Sequence, residues 1–160
     1  NRISILPKKK TVNIRKLEKN LLLIYTGKKR VAHNIAKKYY KSLTSINKKY
    51  IDLMIECVLE GEKILDRNNG LDEFGKLLHT AWITKKKVSK VISNSKIDEI
   101  YEYMISQGAL GGKLLGAGGG GFFLFYMKNH LQKRFLKKNK KILSIPFKFS
   151  DNGTEILYKD

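Results

Sequence analysis

Gly111-Gly112-Lys113-Leu114-Leu115-Gly116-Ala117-Gly118-Gly119-Gly120-Gly121-Phe122 is the stretch on which the reading of this chain turns. With Gly108 just before it, the stretch holds eight of the chain's thirteen glycines. A glycine costs roughly 0.5–1 kcal/mol of backbone entropy relative to alanine in regular structure, so a run this dense is expected where something must come close to the backbone. Successive exposed N–H groups form a concave nest for phosphate oxygens, and Lys113 would add a mobile positive charge. Gly112, Lys113, Gly116, Gly118, Gly119 and Gly120 are therefore the phosphate-proximal candidates. Two familiar phosphate motifs fail on these residues. Gly116, Gly118 and Gly121 have G-x-G-x-x-G spacing, but that fingerprint needs a strand before it and a helix after it, whereas the sequence reads as helix, glycines, strand. Gly108 to Lys113 is one residue short of a Walker loop, and Leu114 stands where a magnesium-binding Ser or Thr is required.

Upstream of the glycines the pattern is helical. Ile97, Ile100, Tyr101, Met104 and Ile105 form one stripe, with Ser95 and Asp98 as a capping box and Gly108 suited to the left-handed residue past the end. Phe74, Leu78, Ala81 and Trp82 mark a helix before it. Ile51, Met54, Ile55, Val58 and Leu59 mark another, and Val31, Ile35, Tyr39 and Leu43 a further one. All these stripes are read as core. Leu21-Leu22-Leu23-Ile24-Tyr25 is short and apolar enough for a buried strand, closed by Thr26-Gly27, and Ile3 and Ile5 alternate ahead of it. Downstream, Phe122 to Met127 reads as an aromatic strand, His130 to Lys140 as a short helix and Ile142 to Phe149 as a strand. Asp151-Asn152-Gly153 suits a hairpin turn and Thr154 to Tyr158 its return. Strands at both ends with helices between predict an α+β domain, a mostly antiparallel sheet of about four strands with helices packed on it.

The 160 residues, 42% of them hydrophobic, suit one domain spanning residues 1–160. No apolar run reaches membrane-span length and the first residues carry no signal-like block, so a cytoplasmic protein with no membrane partner is expected. The single cysteine, Cys57, excludes an internal disulfide and is read as a core residue. His33, His79 and His130 lack metal-ligand spacing, so no metal site is assigned. Lys85-Lys86-Lys87 is read as a solvated run near a helix end, and His79 as a packing residue. The net charge of +19 would suit a nucleic-acid partner, but lysine dominates over arginine, and arginine's planar fork is the better reader of phosphate and bases. Abundant Lys, Ile and Asn also fit an A/T-rich coding sequence. Nucleic acid is not the expected partner; a stand-alone basic nucleic-acid-binding module stays as the rival reading, beside a non-catalytic regulator.

Gly111 to Phe122 resembles the third conserved motif of the GHMP kinases, the family of galactokinase, homoserine kinase, mevalonate kinase and phosphomevalonate kinase. Leu21 to Gly27, Leu77-Leu78-His79-Thr80-Ala81-Trp82 and Ile92 to Glu102 resemble the D-glycero-D-manno-heptose 7-phosphate kinase branch, in the same order along nearly the whole chain. The resemblance implies the C-terminal domain of an ATP- and Mg2+-dependent kinase acting on a sugar or sugar phosphate, with Gly116 to Gly120 near the nucleotide phosphates. It also implies a partner. The family's Pro-x-x-x-Gly-Leu-Gly-Ser-Ser loop, its N-terminal acidic residue and its Ser/Glu magnesium ligands have no counterpart here. An N-terminal ATP-binding domain is thus expected outside this chain, which opens on Asn1, and no catalytic residue is expected within it.

A second anion site is expected at Lys28, Lys29 and Arg30, which follow Thr26-Gly27 in what reads as the first turn of a helix. Cations at a helix N-terminus are unfavourable by roughly 0.3–1 kcal/mol each, a penalty that an anion reverses. Lys29 and Arg30 are the candidates to receive a substrate phosphate. The branch it resembles carries a Thr-Gly-x-Ser-Arg pattern there, matched by Arg30 but not by Lys29.

Overall fold

The computed structural model describes residues 11–28, 45–67 and 70–150. Helix α1 (Thr11–Asn20) runs directly into strand β1 (Leu21–Tyr25), and two long helices follow, α2 (Ser45–Asp66) and α3 (Leu71–Val88). After α4 (Ser95–Ser106) come β2 (Gly111–Leu114), β3 (Phe122–Tyr126), α5 (Asn129–Lys138) and β4 (Ser144–Ile145). The four strands form one antiparallel sheet in the order β2-β3-β1-β4. This is the α+β architecture that the sequence predicts.

Side chains alternate across a strand, so the register sorts the sheet into two faces. Leu22, Ile24, Leu114, Phe123 and Phe125 share one face. They pack with Trp82, Ile97, Tyr101, Met104 and Phe135 in the main core. Trp82, Phe123 and Phe125 are fully buried, each contributing about 2–3 kcal/mol by area removed from water. On the opposite face, Leu21 and Tyr126 meet Leu17 of α1 and Phe74 and Leu78 of α3. Helix α3 can lie against the β2 edge because two glycines face each other there. A Cβ on Gly75 would sit 2.8 Å from Tyr126 and Leu110, and one on Gly111 would overlap the Gly75 carbonyl oxygen.

The sequence reading needs four corrections. The glycine run is not one helix-to-strand loop, because Gly111 and Gly112 lie inside β2, where the Phe125 ring covers the space a Gly112 side chain would need. Ile142 to Phe149 contributes only Ser144–Ile145 to the sheet, since Pro146 has no N–H to continue the ladder. The N-cap of α4 is Asn94, whose side chain accepts from Ile97 N at 3.3 Å. Asp98 is not a capping-box partner; it accepts from Ser93 Oγ and pairs with Lys86, both at 2.9 Å. Gly108 does adopt the left-handed conformation past α4, with φ +97°.

The fourth correction concerns which face of α2 is covered. Ile55, Val58 and Leu59, expected in the core, are 54%, 71% and 54% exposed. The seam that turns inward runs instead through Tyr50, Met54, Cys57, Gly61 and Ile64, at alternating steps of four and three. Along that seam Gly61 is buried against α3, where a Cβ would make ordinary contacts with Leu77 at 3.4 Å and Phe74 at 3.8 Å. Cys57 is consequently half-buried. Burial pushes its thiol pKa up, an effect opposed by nearby Lys113. The proposed strand at Ile3 and Ile5, the helix from Val31 to Leu43 and the Asp151-Asn152-Gly153 hairpin with its return strand lie outside the described residues. Among the described residues no helix is long and apolar enough to cross a membrane.

Candidate phosphate-binding hairpin

Strands β2 and β3 are joined by residues Leu115 to Gly121, closed at the base by Leu115 N–H donating to the Phe122 carbonyl at 2.8 Å. Its far side is tied to β1: the backbone N–H and the hydroxyl of Thr26 both donate to the Gly121 carbonyl at 2.9 Å. Gly121 N–H in turn donates to the Lys28 carbonyl at 3.0 Å. The turn before α4 supports the middle, where Gly119 N–H donates to Ile92 O at 2.8 Å. Gly118, at φ +108°, lies so close to this turn that a Cβ would sit 2.9 Å from Ile92 Cα and O. Only a glycine takes that backbone angle and that proximity together.

These anchors divide the candidates. Gly112 is buried in β2, and Lys113 is half-buried on the sheet face it shares with Leu23 and Leu124. Gly118, Gly119 and Gly120 are buried, whereas Leu115 and Gly116 are exposed and Ala117 half-buried. The exposed part of the hairpin thus runs from Leu115 to Ala117, narrower than a nest of six residues. Among the described residues, the N–H groups of Gly116, Ala117, Gly118 and Gly120 have no backbone partner. Lys29 and Arg30 lie outside the described residues.

One residue at this site escaped the sequence reading. Lys85, expected in a solvated run, is buried on α3, and its ammonium donates to Gly116 O at 2.6 Å and Leu114 O at 3.2 Å. Desolvation, with a smaller contribution from Lys113, lowers its pKa to about 8. The native fold therefore releases this proton near pH 8 while the unfolded chain keeps it to the ordinary 10.5, and stability rises with pH between those values. The signal for Lys85 was in the periodicity: it falls on the stripe of Ala81, Trp82 and Val88, all buried. Its two neighbours have other tasks. Lys86 pairs with Asp98 and lies over the Trp82 ring, and Lys87 lies over Tyr50. His79 shares a 2.6 Å hydrogen bond with the Tyr101 hydroxyl, whose pKa burial raises to about 12.

Lys85 under the hairpin and Lys113 near it are both cations, which suits an anion. Among the described residues no three His, Cys, Asp or Glu side chains come together to hold a metal ion. A Mg2+ ion held by one or two carboxylates and by phosphate oxygens would not need such a cluster. A cavity of about 300 Å3 starts beside the hairpin's anchor, at Thr26 and Gly27, and runs between Ile24, Met104 and Leu143.

Residues 54–141, more than half of the chain, match the model of the GHMP kinase C-terminal domain. The chain belongs to the GHMP kinase family. This GHMP domain is 30% identical over 128 residues to a bifunctional fucokinase/GDP-fucose pyrophosphorylase of Arabidopsis thaliana, across 78% of the chain and 12% of that protein. It is 36% identical over 72 residues to a D-glycero-alpha-D-manno-heptose 7-phosphate kinase of Campylobacter jejuni, across 43% of the chain and 21% of the relative. The fold is shared with L. major mevalonate kinase, at a TM-score of 0.68 and 19% identity, over 78% of this chain and 40% of that one. The domain thus spans well under half the length of each of these proteins.

Proposed function

We propose that this GHMP domain is the C-terminal half of an ATP-dependent kinase that phosphorylates a hydroxyl of a sugar or sugar phosphate, a heptose 7-phosphate being the preferred substrate. The observation that carries the reading is the open stretch from Leu115 to Ala117, with Lys85 beneath the Gly116 carbonyl and Lys113 close enough to act on Lys85, in a hairpin held on three sides. Likeness to a fucokinase and to a heptose 7-phosphate kinase supports a sugar as the acceptor. Phosphoryl transfer asks a protein mainly to position its reactants and neutralise phosphate charge, and amides with fixed cations behind them do both.

The remaining machinery belongs to an N-terminal domain outside this chain. ATP supplies the γ-phosphoryl group, and Mg2+ would be held between its phosphate oxygens and one or two carboxylates of that domain. Lys29 and Arg30 are the proposed receivers of the substrate phosphate, on grounds of sequence. The test is the complete gene product with ATP and Mg2+, offered heptose 7-phosphate, fucose and mevalonate. We expect turnover of the heptose phosphate, with kcat/KM at least tenfold above fucose, and none from residues 1–160 alone. Turnover of mevalonate only, or full activity of the isolated chain, would overturn the reading.

A further inference from the structure

We propose that Lys85 is a positioning residue for the hairpin: its ammonium holds the Gly116 carbonyl inward so that the N–H of Ala117 faces outward to an anion. A trans peptide points its C=O and N–H in opposite directions. With Gly116 O held at 2.6 Å by Lys85, the Ala117 N–H must turn away from the ammonium. That N–H has no backbone partner among the described residues, and it belongs to the one stretch of the hairpin that is open. Gly116 itself takes the left-handed conformation, φ +68°, with nothing within 4 Å of a Cβ.

A purely structural staple would not need a charge here. Among the described residues Lys85 has no carboxylate partner, and the other charged group that acts on it is Lys113, a second cation. Lys86 and Lys87 face Asp98, Trp82 and Tyr50 instead. An unpaired cation is retained in a buried place at a cost to stability. An anion bound across the Gly116–Ala117 peptide would offset that cost, and so would be favoured by the same charge. The identification of this anion as a nucleotide phosphate rests on the kinase reading; the clasp does not.

The test uses the complete protein labelled with 15N-glycine and 15N-alanine, as wild type and as Lys85→Met, titrated between pH 6 and 10 with and without ATP. In the wild type the Ala117 amide should follow one titration with a midpoint near 8, moving up by a unit or more with ATP. In Lys85→Met the titration should vanish. Turnover of that variant should fall at least tenfold in kcat, while its melting temperature is unchanged or higher. An Ala117 amide that is flat across this range in the wild type overturns the proposal, and so does a Lys85→Met protein with wild-type kcat and KM for ATP. If the wild type turns over no sugar, the kinase reading fails and the amide titration still decides the clasp.

Discussion

Replacing Gly111 with alanine should destabilise the fold by about 3 kcal/mol or more, enough to unfold much of the population of a marginally stable domain. The new methyl group would meet the Gly75 carbonyl and lie 2.7 Å from His79 N and 2.9 Å from His79 Cβ. These are mostly backbone atoms of α3, so no rotamer change relieves the clash. Helix α3 would have to lift from β2, and Gly75 would leave its close packing on Tyr126 and Leu110. Gly27→Ala makes the control: φ is +75° there but nothing lies within 4 Å, so only the cost of the left-handed backbone applies, about 1–2 kcal/mol. Urea denaturation of both variants measures the difference. Equal midpoints would mean that α3 does not rest on β2 as described.

Gly118→Ala should abolish catalysis by the complete protein, with kcat reduced at least 100-fold. The substitution meets two obstacles together, a φ of +108° and Ile92 backbone atoms at 2.9 Å. Relief requires the hairpin to rise off the turn before α4, breaking the Gly119 N–H to Ile92 O hydrogen bond. A displacement of about 1 Å at a positioning element is enough to cost on the order of 100-fold in rate. Gly116→Ala, at φ +68° in open space, should fold with a cost of about 1–2 kcal/mol. Steady-state kinetics beside thermal melts separates the two sites. A Gly118→Ala protein that is folded and fully active would show that the hairpin's seat on Ile92 is irrelevant to the reaction.

Much of this fold could be read from the sequence because local pattern and packing agree. Leu21 to Tyr25 and Phe122 to Tyr126 are apolar on both faces, and both faces of the central strands are covered. The stripe of α4 and Gly108 at its end also stand as expected. Two of the failures share a physical origin: each depended on where another element packs. Apolar content alone favoured Ile55, Val58 and Leu59 as the buried face of α2, whereas α3 packs on the less apolar seam through Gly61 and Ile64. Gly111 and Gly112 read as loop because glycine disfavours strands, yet here the missing side chains make room for α3 and the Phe125 ring. Asn94 and Ser95 are both good capping residues, and only the backbone angles at Asn94 decide between them.

The candidate site shows the same division. Its residues were legible as a glycine-rich stretch with a lysine, while its geometry was not. Nothing in residues 108–121 says that Gly118 to Gly120 turn inward and that the open stretch runs from Leu115 to Ala117. Lys85 was hidden by its neighbours: three consecutive lysines look like a solvated run until helical geometry sends them in three directions. One goes under the hairpin, one to Asp98 and one to Tyr50.

The most direct test of the account is a crystal structure of the complete protein with Mg2+ and a non-hydrolysable ATP analogue. The account predicts phosphate oxygens against the Gly116–Ala117 peptide, within hydrogen-bond distance of Ala117 N–H, with Lys85 still beneath Gly116. Phosphates bound at the opposite end of the sheet, near Tyr126 and Asp72, with the hairpin facing empty solvent, would contradict it.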